Sequence, residues 1–323
     1  MMIKAAQFSA PGQVELTNIP MPVCEPHQVL IRFEKLTICG SDVSVLYEGT
    51  PGDFPFKPGM TGHECVGVVE ESQVSEVRPG DRMLVIPPEA NAFSEFLAIE
   101  PRWLIPLPDG LESELGVLAQ QLGTVIHCCR KLGNVIDKTV VIVGQGPAGL
   151  FFTTLFSHMG AQKIIVFDIV DHRLEFARQM GAHYAFNAGQ VDPIKIVQEL
   201  TDGHLADLAV EAVGRAETIN LCPDLVRSQG ELALFGVPEQ AILPFAYEKF
   251  FRKQLRTYSS VYTQLEPGFR SFRLALELIA QKRVSVAPFI THRFPFNEIG
   301  DAFHVAQTKT EGAIKILIDF TRK

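Results

Sequence analysis

Thr139-Val-Val-Ile-Val-Gly144-Gln-Gly146-Pro147-Ala148-Gly149 reads as a strand running into a glycine-rich turn, and the apolar stretch from Leu150 to Met159 reads as a helix. A second β-run, Lys163-Ile-Ile-Val-Phe167, closes on Asp168. Each part has a task in holding a dinucleotide. Gly144 allows the tight turn, Gly146 lets backbone approach a pyrophosphate, and Gly149 lets helix and strand pack closely. The phosphates would sit at the helix N-terminus, where free N–H groups and the macrodipole favour negative charge. Pro147 falls in the first helical turn, where a missing N–H does little harm. Asp168, at the end of the next strand, is placed to accept hydrogen bonds from a ribose diol. Glycine-rich turns are common, so the motif alone is weak; the strand before it, the helix after it and the acidic residue give it weight. The charge-free run from Thr139 to Phe156 just reaches the length of a membrane span. Its glycines, Gln145 and Pro147 interrupt it, so buried strand, turn and buried helix is the better reading.

Outward from this stretch the pattern differs on the two sides. C-terminally, helices at 171–180, 193–200 and 216–228 alternate with strands at 182–186, 207–212 and 231–235, which predicts a doubly wound parallel sheet. N-terminally, short β-runs at 3–8, 13–16, 29–33, 64–71, 82–86 and 94–99 are separated by Gly/Pro turns, the pattern of a small barrel-like β domain. Leu115, Leu118, Ala119, Leu122, Ile126 and Cys129 fall at helical spacing, with Ser113 as N-cap and an end near Gly133. After a β-run at 255–262, the tail mixes helices at 268–281 and 299–308 with a last strand at 313–320. A mixed tail of this kind can return to complete the N-terminal domain.

The 323 residues suit two domains with a sizeable core. A composition 46% hydrophobic and 20% charged is that of a soluble globular protein. Net charge −8, pI near 5.6 and the lack of any basic run argue against nucleic acid as a partner. No continuous apolar segment at the N-terminus suggests a signal peptide, and six scattered cysteines suit a reducing cytoplasm.

A second constellation lies in the β domain: Cys39-Gly-Ser41-Asp42, then Gly62-His63-Glu64-Cys65. A thiolate and an imidazole are ligands that zinc prefers, and a carboxylate can add a third. Ser41 offers a hydroxyl two residues from the thiolate, and Asp42 is available to orient His63. By spacing alone, a buried cysteine and a satisfied core histidine is an equal reading.

Cys39-Gly-Ser41-Asp42, Gly59-Met-Thr-Gly62-His63-Glu64, Arg78-Pro-Gly-Asp81-Arg82, Gly144-Gln-Gly-Pro-Ala-Gly149, Glu211-Ala-Val-Gly214 and Pro288-Phe-Ile-Thr-His-Arg-Phe together resemble the zinc-dependent medium-chain dehydrogenase/reductase family, which includes alcohol, sorbitol and threonine dehydrogenases. The resemblance runs nearly end to end. It implies an α/β chain with a GroES-like β-barrel catalytic domain (1–121 and 263–323) and a Rossmann doubly wound parallel-sheet cofactor domain (122–262). It also implies that Cys39 and His63 hold a catalytic zinc, that Ser41 relays the substrate proton, and that Asp168 selects NAD over NADP. Arg173 is expected near the adenosine, and Lys315 is expected to reach the cofactor pyrophosphate.

Three departures qualify the resemblance. Relatives with a structural zinc carry four cysteines in a lobe; this chain has none between Cys65 and Cys128, and 87–93 looks like a shortened remnant, so no structural zinc is expected. The position of the third protein ligand, glutamate or cysteine in relatives, is Gln120 here. An amide oxygen is the poorer zinc ligand, and Glu64 is the group that could move in. The histidine that commonly ends the proton relay is Ser44. The expectation is an NAD-dependent, zinc-assisted dehydrogenase that reversibly oxidises a small secondary alcohol or polyol to a ketone, with no membrane partner. The β-run at 255–262 resembles the edge strand through which cofactor domains pair, so a homodimer or homotetramer is expected. Two alternatives stay open: a zinc-free quinone or enone reductase, and a non-catalytic nucleotide-binding relative.

Overall fold

The computed structural model describes residues 1–322. The chain forms two compact units. One takes Met1–Gly123 and the chain from Gln264 onward; the other is Thr124–Thr263.

In the first unit, β1 (Met2–Ala10) and β2 (Gln13–Pro20) form an antiparallel pair. β3 (Val29–Thr37) is the hub of the main sheet and pairs antiparallel with β4 (Cys65–Ser72) and β6 (Phe96–Ile99). β4 pairs with β5 (Arg82–Val85), and β5 with β7 (Leu104–Pro106). Inward residues of β3, including Val29, Ile31 and Phe33, join Phe8, Leu46, Phe93 and Phe303 in one core. Phe8 and Phe303 meet edge to face with centroids 5.3 Å apart, the arrangement that the ring quadrupoles favour. Leu46 and Phe93 are fully buried core residues.

A helix that the apolar period does not announce follows β3 directly: α1 (Gly40–Glu48). Its start is fixed by Asp42, whose Oδ2 accepts the Cys39 N–H at 2.9 Å. The helical pattern from Ser113 proves to be two pieces, α2 (Ser113–Gly116) and α3 (Ala119–Cys129). The N-cap is Glu112, with no side-chain bond, rather than Ser113; the Ser113 hydroxyl instead donates to Glu34 at 2.6 Å.

The second unit alternates as its sequence predicts. β8 (Thr139–Val143), α4 (Pro147–His158), β9 (Lys163–Asp168), α5 (Asp171–Gln179) and β10 (Tyr184–Asn187) make one half. α6 (Pro193–Leu200), β11 (Ala206–Glu211), α7 (Ala216–Leu225), β12 (Val226–Leu234), α8 (Tyr247–Arg252) and β13 (Arg256–Ser259) make the other. All strands are parallel in the order β10-β9-β8-β11-β12-β13, which leaves β13 at a sheet edge. α7 ends earlier than the sequence suggests, because Pro223 removes an N–H from its last turn and Val226 is already extended.

The chain then returns to the first unit with α9 (Arg270–Ala280), β14 (Ile290–Pro295), α10 (Ile299–Thr308) and β15 (Lys315–Asp319). β15 lies antiparallel against β3 and parallel to β14. No helix of the described residues is long and apolar enough to cross a membrane.

Candidate active site

Strand register assembles the first site. Leu36 faces Cys65 across β3 and β4, so the next residue along β3, Thr37, comes alongside Glu64, and its N–H donates to the Glu64 carbonyl at 2.9 Å. On the other side Leu317 faces Thr37, and the Ile38 N–H donates to the Ile316 carbonyl at 3.0 Å, which brings Lys315 to the same end of the sheet. Cys39 then sits at the N-cap of α1, immediately beyond β3.

The result is a trio of donors. Single ligand atoms of Cys39, His63 and Glu64 lie within 4.8 Å of one another. Sulfur, imidazole nitrogen and carboxylate oxygen are a donor set that suits zinc. The electrostatics carry the same message. Burial works against a charged His63, but its hydrogen bond to Cys39 and the negative charges of Cys39, Asp42 and Glu64 push its pKa up to about 10. The bound proton marks a surplus of negative charge that a divalent cation would neutralise.

Glu64 is 1% exposed and is held from two sides. Its Oε2 lies 2.6 Å from Lys315 Nζ and accepts the Thr37 hydroxyl. Burial pushes its pKa up, but Lys315 and His63 outweigh that and hold the carboxyl below its usual range. Both contacts fall on one oxygen, so Oε1 is the oxygen left to offer a metal. The Lys315 side chain is 1% exposed and engages Glu64 inside the sheet.

Asp42 is 1% exposed and braces the loop before His63: its Oδ1 accepts from the Thr61 hydroxyl at 2.5 Å and the Gly62 N–H at 3.1 Å. It stands 3.8 Å from His63 Nδ1, so it acts on the imidazole by charge and not by a hydrogen bond. Ser41 is half-buried in the first turn of α1, beside Cys39 in sequence. Gln120 is buried in the first turn of α3, while Ser44 is exposed.

The second site is the turn after β8. Gly144 has φ +95°, and a Cβ added at Gly149 would stand 1.9 Å from the Gly144 carbonyl oxygen, so this close approach requires glycine. Gly146 is the N-cap of α4, with Pro147, Ala148 and Gly149 as its first turn. No side chain caps this helix, which leaves its first N–H groups for a ligand. A Cβ at Gly146 would meet only Arg173 Nη1, at 3.7 Å. Arg173 Nε is buried without a hydrogen-bond partner, as expected of a guanidinium awaiting an anion or a polar ligand. Asp168 has its two oxygens on backbone donors: Oδ2 accepts from the Gln145 N–H at 2.6 Å and Oδ1 from the Val170 N–H at 2.9 Å. Each carboxylate oxygen keeps a further lone pair, so the turn is locked while acceptor capacity remains. These residues fit a dinucleotide.

Sequence reasoning missed Thr37, Lys315 as the partner of Glu64, and Gln145, whose fully buried amide accepts from the Thr153 hydroxyl at 2.9 Å and donates to the Gly144 carbonyl at 3.0 Å. The first two depend on register between distant strands and have no local signal. A polar residue inside a glycine-rich apolar turn was the signal for Gln145.

Comparison with known proteins bears on the fold and the family. A model described as an alcohol dehydrogenase GroES-like domain matches residues 25–109, and one described as a zinc-binding dehydrogenase matches residues 147–281. Together the two matches span well over half of the chain. The chain is 29% identical to sorbitol dehydrogenase of Gallus gallus, covering 95% of this chain and 93% of the relative. It is also 29% identical to an alcohol dehydrogenase of Cupriavidus necator, covering 98% of each. Among solved structures, the alcohol dehydrogenase from Thermus sp. ATN1 superposes with a TM-score of 0.85 at 25% identity, covering 98% of this chain and 99% of that one. With a GroES-like first unit, a Rossmann-type second unit and a zinc-competent donor trio in place, the chain belongs to the zinc-dependent medium-chain dehydrogenase/reductase family.

Proposed function

We propose that this oxidoreductase is NAD-dependent and oxidises a secondary alcohol or polyol to a ketone with the help of one zinc ion held by Cys39, His63 and Glu64. The observation that carries the reading is the convergence of those three donor atoms on one point. When bound, zinc supplies a Lewis acid that lowers the pKa of the substrate hydroxyl, and NAD supplies the hydride acceptor. The chain's own residues supply the rest. Thr37 and Lys315 fix Glu64, and Asp42 fixes the Thr61–His63 loop, so the three donors are pre-set and not gathered by the metal. Ser41, half-buried and beside Cys39, takes the substrate hydroxyl proton and passes it to water, since Ser44 stands where relatives carry a histidine. Gln120 stands at the position where relatives place a third ligand, but as a neutral amide it leaves that part to Glu64.

For the cofactor, Gly144, Gly146, Ala148 and Gly149 receive the pyrophosphate, Asp168 the adenosine ribose hydroxyls, and Arg173 the adenosine end. A carboxylate at Asp168 favours NAD, because a 2′-phosphate would meet a like charge. Two copies of the chain pair through the open edge of β13, which would give a homodimer as the basic unit.

Elemental analysis of protein purified without chelators, followed by an NAD-coupled screen of alcohols and polyols, tests the reading. About one zinc per chain with NAD-linked turnover is the expected result. Full NADH binding with no zinc would favour a zinc-free reductase. NADH binding with zinc but no turnover on any alcohol or ketone would favour a non-catalytic nucleotide-binding role.

A further inference from the structure

One buried carboxylate in the second unit belongs to neither the metal trio nor the ribose site. Glu211, the last residue of β11, is 0% exposed and has no ion-pair partner among the described residues. Its charge is met by hydrogen-bond donors alone. Oε1 accepts from the Val213 N–H at 3.0 Å, the Gly214 N–H at 2.9 Å and the Thr218 hydroxyl at 2.7 Å. Burying a carboxylate this way is costly unless its donors are fixed, so the carboxylate and the loop 212–214 hold one another in a single conformation.

The place of that loop gives the carboxylate a purpose. In an open parallel sheet a dinucleotide lies across the carboxyl ends of the strands, at the point where strand order reverses, here between β8 and β11. The Gly144 turn and Asp168 occupy the β8 and β9 ends, which take the ADP half. The β11 and β12 ends, residues 212–214 and 235–237, are left for the nicotinamide half. These two ends are knitted together: the Phe235 and Gly236 N–H groups donate to the Glu211 carbonyl at 2.9 and 3.0 Å, and a Cβ at Gly214 would stand 1.9 Å from the Val237 carbonyl oxygen. The ADP end touches this loop through the Ala212 N–H, which donates to the Val143 carbonyl at 2.9 Å, but has anchors of its own: Gly144 N–H to the Phe167 carbonyl at 2.8 Å and Asp168 on Gln145.

Resting on the cofactor reading above, we propose that Glu211 is a positioning residue for the nicotinamide half of the cofactor, through the loop that its carboxylate folds. The test compares two probes by calorimetry on the full chain: NADH, and ADP-ribose, which lacks the nicotinamide. Glu211→Gln keeps size and one acceptor oxygen but loses the charge that gathers the donors. NADH affinity is expected to fall at least about fivefold, the scale of one buried hydrogen bond, while ADP-ribose affinity stays within about twofold. Thr218→Val removes one donor without touching the carboxylate, and it should move the NADH-to-ADP-ribose ratio the same way by about threefold. If Glu211→Gln does not fold, the Thr218→Val ratio decides. Equal losses for both probes, or an unchanged ratio, would overturn the proposal and leave the cofactor reading standing. A wild-type chain that binds neither probe would overturn the cofactor reading and the proposal with it.

Discussion

Replacing Lys315 with methionine isolates the contribution of the ion pair behind the metal site. Methionine keeps a long unbranched side chain in the same space and removes only the charge. Glu64, 1% exposed, would then face the interior with the Thr37 hydroxyl as its remaining hydrogen-bond partner on Oε2. Removing one member of a buried ion pair costs about 3–5 kcal/mol, because the other is left uncompensated. Trp103, the only tryptophan, lies in the first unit beside Phe269 at 6.2 Å, so its fluorescence reports unfolding of the unit that holds the pair. Protonated His63 keeps part of the compensation, so metal-free Lys315→Met should lose toward the lower end of that range, about 3 kcal/mol, in urea unfolding followed at Trp103. Glu64→Gln added to it should recover most of that loss, since the uncompensated charge is gone. Saturating zinc should also narrow the gap, because a cation at the trio takes over part of the ammonium's role. A metal-free loss under about 1 kcal/mol, or a double variant no more stable than Lys315→Met, would refute the argument that Glu64 depends on this charge.

Other expected outcomes follow from the same geometry. Gln120→Glu should retain zinc longer than wild type in dialysis against a chelator, because a carboxylate replaces an amide; equal retention would sink the idea that position 120 corresponds to the third ligand of relatives. Asp168→Asn should reduce the preference for NAD over NADP in kcat/KM by roughly tenfold, and an unchanged ratio would show that cofactor choice lies elsewhere. Asp319 pairs with Lys35 at 2.6 Å and Arg322 at 3.1 Å. Burial raises its pKa, but Lys35 and Thr321 outweigh it and hold the folded value below the usual 3.8. The stability it contributes is thus present above pH 3.8 and lost as pH falls through the lower folded value. Asp319→Asn should cost about 2 kcal/mol near pH 7, and the gap should close in strong acid; a gap constant across that range would count against the linkage.

The parallel sheet of the second unit was legible because its strands are buried on both faces and read as continuous apolar runs between helices. Its binding turn was legible for a related reason, since Gly144 and Gly149 answer to local backbone demands that no other residue meets. The metal trio was only half legible. Cys39, His63 and Glu64 have the right chemistry, but what joins them is the register between β3 and β4. The Lys315–Glu64 pair was not legible, because a lysine inside an apolar strand carries no local mark of its partner; only the pairing of β15 with β3 brings it to Glu64. α1 escaped notice because Val43 and Val45 blur its period, and its start rests on the Asp42 bond to the Cys39 N–H. α8 is a single short run, Tyr247-Glu-Lys-Phe-Phe-Arg, too brief to show a helical repeat.

The insertion of one unit within the other also sets an order of events during synthesis. β3 and β4 emerge early, yet the strand that completes their sheet, β15, is made only after all of Thr124–Thr263. Through that interval the end of β3 from Lys35 to Thr37 is an open edge, and Glu64 waits without the Lys315 counter-charge. The parallel sheet is contiguous in sequence and can close as soon as it leaves the ribosome. The growing chain would therefore become able to hold nucleotide before it could hold metal. A product cut short just ahead of Lys315 would keep a folded nucleotide unit joined to an unfinished sheet, a species for chaperones or proteases to remove.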